Sequence, residues 1–109
     1  MALRILTGTL VPEPGKQGSG QAVIQFNPHH VTGDADGQNL MEWGGSGDFD
    51  APPSAVVSLK HIEVSPPSPL ERFRVTEDPP SRTQLEIEWE TSPIPERIMA
   101  ISYMIIGEA

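Results

Sequence analysis

The chain has 109 residues, of which 37% are apolar, and its 15 acidic and 7 basic residues give a formal net charge of −8. This length allows one core, so residues 1–109 are predicted to form a single domain. The negative charge would repel a phosphate backbone or an anionic membrane surface, which excludes nucleic acid as the expected partner. Because the sequence has no cysteine, it forms no disulfide, Fe–S cluster or thiol nucleophile, and the compartment is left open.

The amino terminus and the remaining apolar segments do not predict a membrane protein. Met1–Leu6 carries no apolar run long enough for a signal peptide, and no stretch of about 18 apolar residues occurs to span a membrane. The sequence therefore predicts either a cytoplasmic location or export by a non-classical or phage-associated route.

Proline and glycine interrupt the chain every few residues, with 12 prolines and 10 glycines in all. A proline inside a helix costs about 3 kcal/mol, and no segment keeps apolar residues at helical spacing over three turns. Short strands are predicted instead, in this order: Arg4–Val11, Gln21–Phe26, a short one at Leu40–Trp43, Ala55–Val64, Glu71–Thr76, Gln84–Glu90 and Arg97–Ile106. This pattern is typical of an all-β fold, predicted here as an antiparallel β-sandwich of about six strands.

The distribution of apolar residues along the later strands supports a sandwich. In Glu71–Thr76 and Gln84–Glu90, apolar and polar residues alternate, which predicts one buried and one polar face. In Ala55–Val64 the alternation changes phase, and a β-bulge near Lys60 and His61 explains the change. The last strand, Arg97–Ile106, is apolar on both faces. It is therefore predicted to lie centrally or against another subunit, which favours an oligomer.

The segment Pro28–Ala51 is rich in glycine and aspartate and is predicted to be irregular. A functional loop and a solvated excursion both fit this composition. His29, His30, Asp34 and Asp36 are residue types that bind metals, but their spacing fits neither a zinc site nor an EF-hand. No metal site and no cofactor are predicted.

Three glutamates, Glu86, Glu88 and Glu90, follow one another on the same face of a predicted strand, roughly 7 Å apart. Paired carboxylates near that separation hydrolyse glycosides, but the solvated face of an antiparallel strand explains the pattern better. The sequence contains no Ser-His-Asp ordering, phosphate-binding glycine loop or nucleotide fingerprint. An enzyme is therefore not predicted.

Trp89 ends this acidic strand beside a proline-rich turn, a position that suits an aromatic platform stacking on a sugar ring. Glu90 and Arg72 would then supply polar groups to the sugar hydroxyls. The alternative, which composition alone favours, is a core tryptophan that closes one end of the sandwich.

Several segments together resemble a known family: Arg4–Leu10, Phe49–Pro53 running directly into Ser54–Val64, Glu71–Phe73, Trp89–Thr91 and Ile98–Ile106. Their order and spacing resemble the H-type lectin domain, the fold of snail agglutinins and of the C-terminal part of discoidins. The resemblance covers nearly the whole chain.

The resemblance implies a lectin that holds N-acetylgalactosamine or galactose between the subunits of a trimer, which can pair into a hexamer. It also implies the carbohydrate-binding residues: Asp34 or Asp36 as the loop acid, Arg72 or, if the register shifts by two, Arg74, then Trp89 with Glu90, and Arg97 on the neighbouring strand. Glu90 stands where the family commonly has histidine, and Arg97 where it has an aromatic residue, so the sugar specificity is not carried over.

The function predicted from the sequence is non-catalytic binding of glycans or glycoconjugates, with a role in cell adhesion, by a homotrimer or homohexamer that neither binds nucleic acid nor inserts into a membrane. The alternative is a trimeric structural or attachment module of a phage tail or a bacterial surface appendage.

Overall fold

The computed structural model of the chain describes residues 3–44, 47–62, 72–92 and 99–108, and every regular element within these ranges is a β-strand. The strands are β1 Leu3–Pro12, β2 Ser19–Phe26, β3 His29–Gly33, β4 Ala35–Gly44, β5 Ser54–Ile62, β6 Arg72–Glu77, β7 Gln84–Ser92 and β8 Met99–Glu108.

The strands form two antiparallel sheets of four strands each. Sheet A has the order β4-β1-β8-β5 and sheet B the order β3-β2-β7-β6. The first and last strands, β1 and β8, pair at the centre of sheet A, with Leu3 opposite Glu108 and Leu10 opposite Ile101. In sheet B, β2 and β7 take the corresponding central place.

The two sheets pack against each other over one shared core, as in a β-sandwich. The core consists of the inward-facing apolar residues of both sheets together with Phe49: Leu6, Leu10, Ala22, Ile24, Phe26, Ala35, Phe49, Leu85, Ile87, Trp89, Ile101, Tyr103 and Ile105. Phe26 and Phe49 meet edge to face, with ring centroids 5.2 Å apart, which closes one end of this core.

The structure confirms the all-β prediction and the features read from residue alternation. Leu85 and Ile87 are fully buried, while the glutamates between them lie on the other face of β7. The pairing of β5 with β8 changes register between Leu59 and His61, which confirms the predicted bulge. β8 is central in its sheet, as its two-sided apolar pattern predicts.

The described residues form eight strands, so the expected count of six is not confirmed. The additional strands arise because the segment Pro28–Ala51 pairs at the edges of both sheets as β3 and β4. Between them, Gly33 has φ of 102°, and a side chain there would meet the carbonyl oxygen of Gln21. Asp34 follows and donates its backbone N–H to that oxygen at 2.8 Å, so the chain turns from sheet B into sheet A at this point.

Arg4 is a charged residue inside this apolar interior, with only 1% of its surface exposed. Its guanidinium donates to Glu42 Oε1 and to the carbonyl oxygen of Phe26, each at 2.6 Å, and also to the carbonyl oxygen of Gly47. It also lies 5.4 Å from the centre of the Phe49 ring. Since Phe26 belongs to sheet B and Glu42 to sheet A, Arg4 joins the two sheets.

A second polar contact joins the sheets through β3 and β8. His29 Nε2 and the Tyr103 hydroxyl oxygen are 2.6 Å apart, and the two rings meet edge to face. Burial lowers the pKa of His29 below its usual value; the Glu42 carboxylate opposes this shift, whereas Arg4 and His30 add to it. Burial also raises the pKa of Tyr103, so the phenol keeps its proton and shares this hydrogen bond with the neutral imidazole.

Candidate functional site

The outer face of sheet B is mainly polar because of alternation: Ala22, Ile24 and Phe26 of β2 and Leu85, Ile87 and Trp89 of β7 face the core. Two rows of side chains cross it. One row is Gln21, Glu88 and Thr76, and the other is Ser19, Glu90 and Arg74, each member paired in register with its neighbour. We call these six residues the polar face.

A shallow depression of ≈ 70 Å³ lies on the polar face, lined by Arg74, Thr76, Glu88, Trp89 and Glu90. Arg74 and Glu90 occupy directly opposed positions on β6 and β7, where side chains stand roughly 5 Å apart at Cβ. A guanidinium supplies only donors and a carboxylate only acceptors. The pair can therefore satisfy both the oxygen and the proton of a hydroxyl group placed between them.

Asp34 lies at the edge of sheet B beside β2. Its Oδ2 accepts the backbone N–H of Gln21 at 3.0 Å, and its Oδ1 lies 3.9 Å from Lys16 Nζ. A side chain at Gly20 would contact both the Asp34 Cβ and the indole of Trp89. The structure thus brings the Asp34 Cβ and the indole of Trp89 together on the core side of β2, whereas Arg74 and Glu90 are exposed on the outer side of sheet B.

Trp89 is part of the core, which corrects the expectation that its ring is an exposed platform. The residue is 3% exposed, and its indole N–H donates to the carbonyl oxygen of Lys16 at 2.8 Å. Trp89 shares the alternation phase of Leu85 and Ile87, which are both buried. This phase is the sequence signal that predicts a buried indole.

The other residues of the predicted site lie elsewhere. Asp36 is on sheet A, paired in register with Val11 and exposed on the outer side, so it does not meet Asp34 or Glu90. Arg72 pairs with Ser92 in the backbone register, and its side chain is outside the part of the structure described. Arg97 lies outside the described residues.

The acidic residues of β7 influence one another. A hydrogen bond with the Asp78 side chain raises the pKa of Glu86, and burial together with repulsion from Asp78 and Glu88 adds to this rise. Burial raises the pKa of Glu77. Within the described ranges, no group of three or more His, Cys, Asp or Glu side chains is arranged to hold a metal ion. The same ranges contain no helix long and apolar enough to cross a membrane.

No protein-family model matches the chain, and no curated protein or solved structure matches it either. Its function is therefore inferred from its own residues and their geometry.

Proposed function

We propose that this protein is a non-catalytic lectin that binds galactose- or N-acetylgalactosamine-type glycans and acts in cell adhesion. The observation that carries the proposal is the depression on the polar face, where Arg74 and Glu90 oppose each other. Hydrogen bonds to charged groups are stronger than those between neutral groups, which suits hydroxyls that must give up water to bind. A shallow, open depression fits the exposed end of a glycan chain.

The binding residues follow from the geometry together with the family resemblance. Arg74, the register alternative to Arg72, and Glu90 contact the sugar directly in this proposal. Asp34, at the edge of sheet B beside β2, is proposed as a further sugar contact because the resemblance implies it. Trp89 holds the floor of the depression from below. Arg72 and Arg97 are proposed as further sugar contacts only because the resemblance implies them, since neither side chain is among those that the structure describes.

We also propose that the protein acts as a homotrimer or homohexamer. β8 supports self-association because Met104 and Ile106, on its outer side, are exposed although the strand is central. Several weak sugar sites on one assembly bind a multivalent surface far more tightly than one site does. The net charge of −8 supports a partner other than nucleic acid or an anionic membrane.

The test is a glycan array followed by titration of the selected glycan into three variants. Arg74→Ala and Glu90→Gln should each weaken binding roughly tenfold or more, because each removes a charge-assisted hydrogen bond worth about 1.5–3 kcal/mol. Glu86→Gln is the matched control, since it lies on the same face of β7 outside the depression and should keep wild-type affinity. Equal affinity in all three variants, or an array without a ligand, would contradict the proposal.

The second candidate function is a structural or attachment module of a phage tail or a bacterial surface appendage. The buried position of Trp89 and the exposed apolar side chains of sheet A favour it. A protein that assembles stably but selects no glycan on the array would have this function.

A further inference from the structure

The outer face of sheet A has the opposite character to the polar face. Six apolar side chains there are exposed by 36–64%, and Ile5 between them is partly exposed. We call this surface the apolar face; it consists of Leu3, Ile5, Met41, Trp43, Val56, Met104 and Ile106. Such a surface on a small soluble domain indicates a protein–protein contact.

The backbone register arranges the apolar face in two rows that cross all four strands. The first row is Trp43, Ile5, Ile106 and Ser54, and the second is Met41, Thr7, Met104 and Val56. A groove of ≈ 490 Å³ runs along the second row and the polar residues next to it, among them Ser58, Ser102 and Lys60.

No charged residue occurs in either row, although the chain carries a net charge of −8. Among the described side chains, the charged ones lie towards the margins of the face, with Lys60 lining one end of the groove. Glu108 is at one end beside Leu3. Asp36 on β4 and Lys60 on β5 are at the other end, on the two opposite edges of the sheet.

We propose that a second copy of this chain covers the apolar face, with the two sheets packed face to face about a two-fold axis. The axis runs parallel to the strands, between β1 and β8. The inference rests on the self-association proposed above and assigns the two-fold contact that a hexamer has in addition to its three-fold contacts. Aligned packing of two such faces is the ordinary arrangement of stacked sheets.

This axis makes the face complementary to itself in shape, as an isologous contact requires. It places β4 of one copy over β5 of the other and β1 over β8. Trp43, the largest side chain of the two rows, then lies opposite Ser54, the smallest. In the second row, Met41 lies opposite Val56 by the same operation.

The same axis also makes the margins complementary in charge. Asp36 pairs with Val11, and Lys60 lies at the bulge beside Leu59, which is opposite Ile101 and hence level with Leu10. Both charges are therefore at the same end of the sheet. Rotation about the axis brings Asp36 of each copy to Lys60 of the other, so the contact contains two ion pairs.

The size of the face fits a stable contact. Four strands about 4.8 Å apart and about eight residues long give a footprint of roughly 19 Å by 26 Å. With side chains included, this approaches the roughly 800 Å² that each partner buries in a standard interface.

The first experiment is sedimentation equilibrium of the 11.8 kDa chain, compared with Val56→Glu and Gln21→Glu. The wild type and Gln21→Glu, which adds the same charge on the polar face, should sediment at twice the chain mass or as a hexamer. Val56→Glu should raise the dissociation constant of the two-fold contact at least a hundredfold, because it buries an unpaired charge. Its melting temperature at low concentration should match the dissociated wild type, since Val56 is 64% exposed. The proposal is overturned if the wild type stays a monomer at a concentration of about 100 µM. It is also overturned if the wild type forms only a trimer.

The second experiment exchanges the charges. Lys60→Glu and Asp36→Lys should each weaken association about tenfold, because each creates two like-charge contacts per dimer. Mixing the two variants should restore association in a heterodimer, since both contacts then join opposite charges; the double variant should restore it in a homodimer. Association that neither the mixture nor the double variant restores overturns the assigned axis.

These outcomes are separate from those of the lectin proposal. If the protein binds a glycan but is a monomer or only a trimer, the lectin proposal stands and the two-fold contact is overturned. If it forms the two-fold dimer but binds no glycan, the two-fold contact stands and the lectin proposal is overturned.

Discussion

Arg4 occupies an inward-facing position of β1, where the next inward residue along the strand, Leu6, is apolar and buried. A buried charge is tolerated only where hydrogen bonds and an opposite charge replace its water. The two terminal nitrogens of Arg4 meet this condition with two carbonyl oxygens and the Glu42 carboxylate, drawn from both sheets and from the loop before Phe49, whereas its Nε has no partner among the described residues. It therefore specifies how the two sheets meet, in addition to stabilising the interior.

We expect Arg4→Met to lower the free energy of unfolding by about 3–5 kcal/mol, because the carbonyl oxygens of Phe26 and Gly47 lose their donor, at about 1–3 kcal/mol each. Glu42→Gln should cost only about 1 kcal/mol, because the Glu42 side chain is 48% exposed and solvent screens its interaction. Urea denaturation of both variants measures the two losses. Similar losses would mean that the ion pair, and not the carbonyl contacts, holds Arg4 in place.

Trp89 shows what residue type alone leaves undecided. A tryptophan beside acidic residues suits a sugar platform as well as a core, and only the position along the strand separates the two. Its phase with Leu85 and Ile87 puts the ring inside, whereas Glu90 is outside. The alternation of residues thus predicts correctly that Glu90 is exposed. Residue chemistry alone would instead have chosen Trp89 as the sugar-binding side chain.

At the scale of elements, alternation predicts the strands of regular pattern but misses β3 and all of β4 except Leu40–Trp43. β6 and β7 follow from their alternating residues, and the bulge in β5 follows from a change of phase. β3 and β4 contain glycine and aspartate and hold only a few buried residues, since an edge strand needs few core contacts. Their composition therefore resembles that of a loop, and their pairing is decided by β1 and β2.

The contact between β3 and β8 predicts how stability depends on pH. The pKa of His29 in the folded protein lies below its ordinary value of 6.5, chiefly because of burial. The unfolded chain therefore binds this proton more readily, so the stabilising effect of neutral His29 is complete above pH 6.5 and is lost as the pH falls through the folded-state pKa. Protonation would also place a cation near Arg4 and His30, which the Glu42 carboxylate only partly offsets.

The measurement is the urea midpoint at a pH above and a pH below the ordinary pKa of histidine, for the wild type and for His29→Gln. The wild type should lose more stability on acidification than the variant. Glu77 and Glu86 have raised pKa values and act in the opposite direction, so the comparison with the variant is needed to isolate His29. Equal losses in both proteins would show that His29 does not titrate with unfolding.

For the molecule as a whole, the strand order is the part of the fold that local sequence pattern could not predict. Each strand has an apolar face of its own, but nothing within β1 indicates that β8, at the other end of the chain, is its neighbour. That choice depends on how all the faces are buried together. The pairing of distant strands also sets the folding rate, because long loops must close before their contacts form.

We expect refolding on a timescale of milliseconds to seconds, as in other sandwiches with mainly non-local pairing. Trp89, buried from solvent in the native state, reports the approach of the sheets, and stopped-flow fluorescence follows it directly. Far-ultraviolet circular dichroism should give the same rate constant, because both sheets share one core. Complete recovery of the fluorescence within microseconds would contradict this expectation.

The two outer faces of the sandwich differ, one carrying charged and hydroxyl groups and the other apolar side chains. Stacked sheets lie about 10 Å apart, so in a face-to-face pair the two polar faces point in opposite directions, about 30 Å from each other. Both cannot lie flat on one cell surface. Such a pair would hold two glycan-bearing surfaces close together and cross-link them, and an agglutination assay with Val56→Glu would show the activity disappear while single-site affinity stays unchanged.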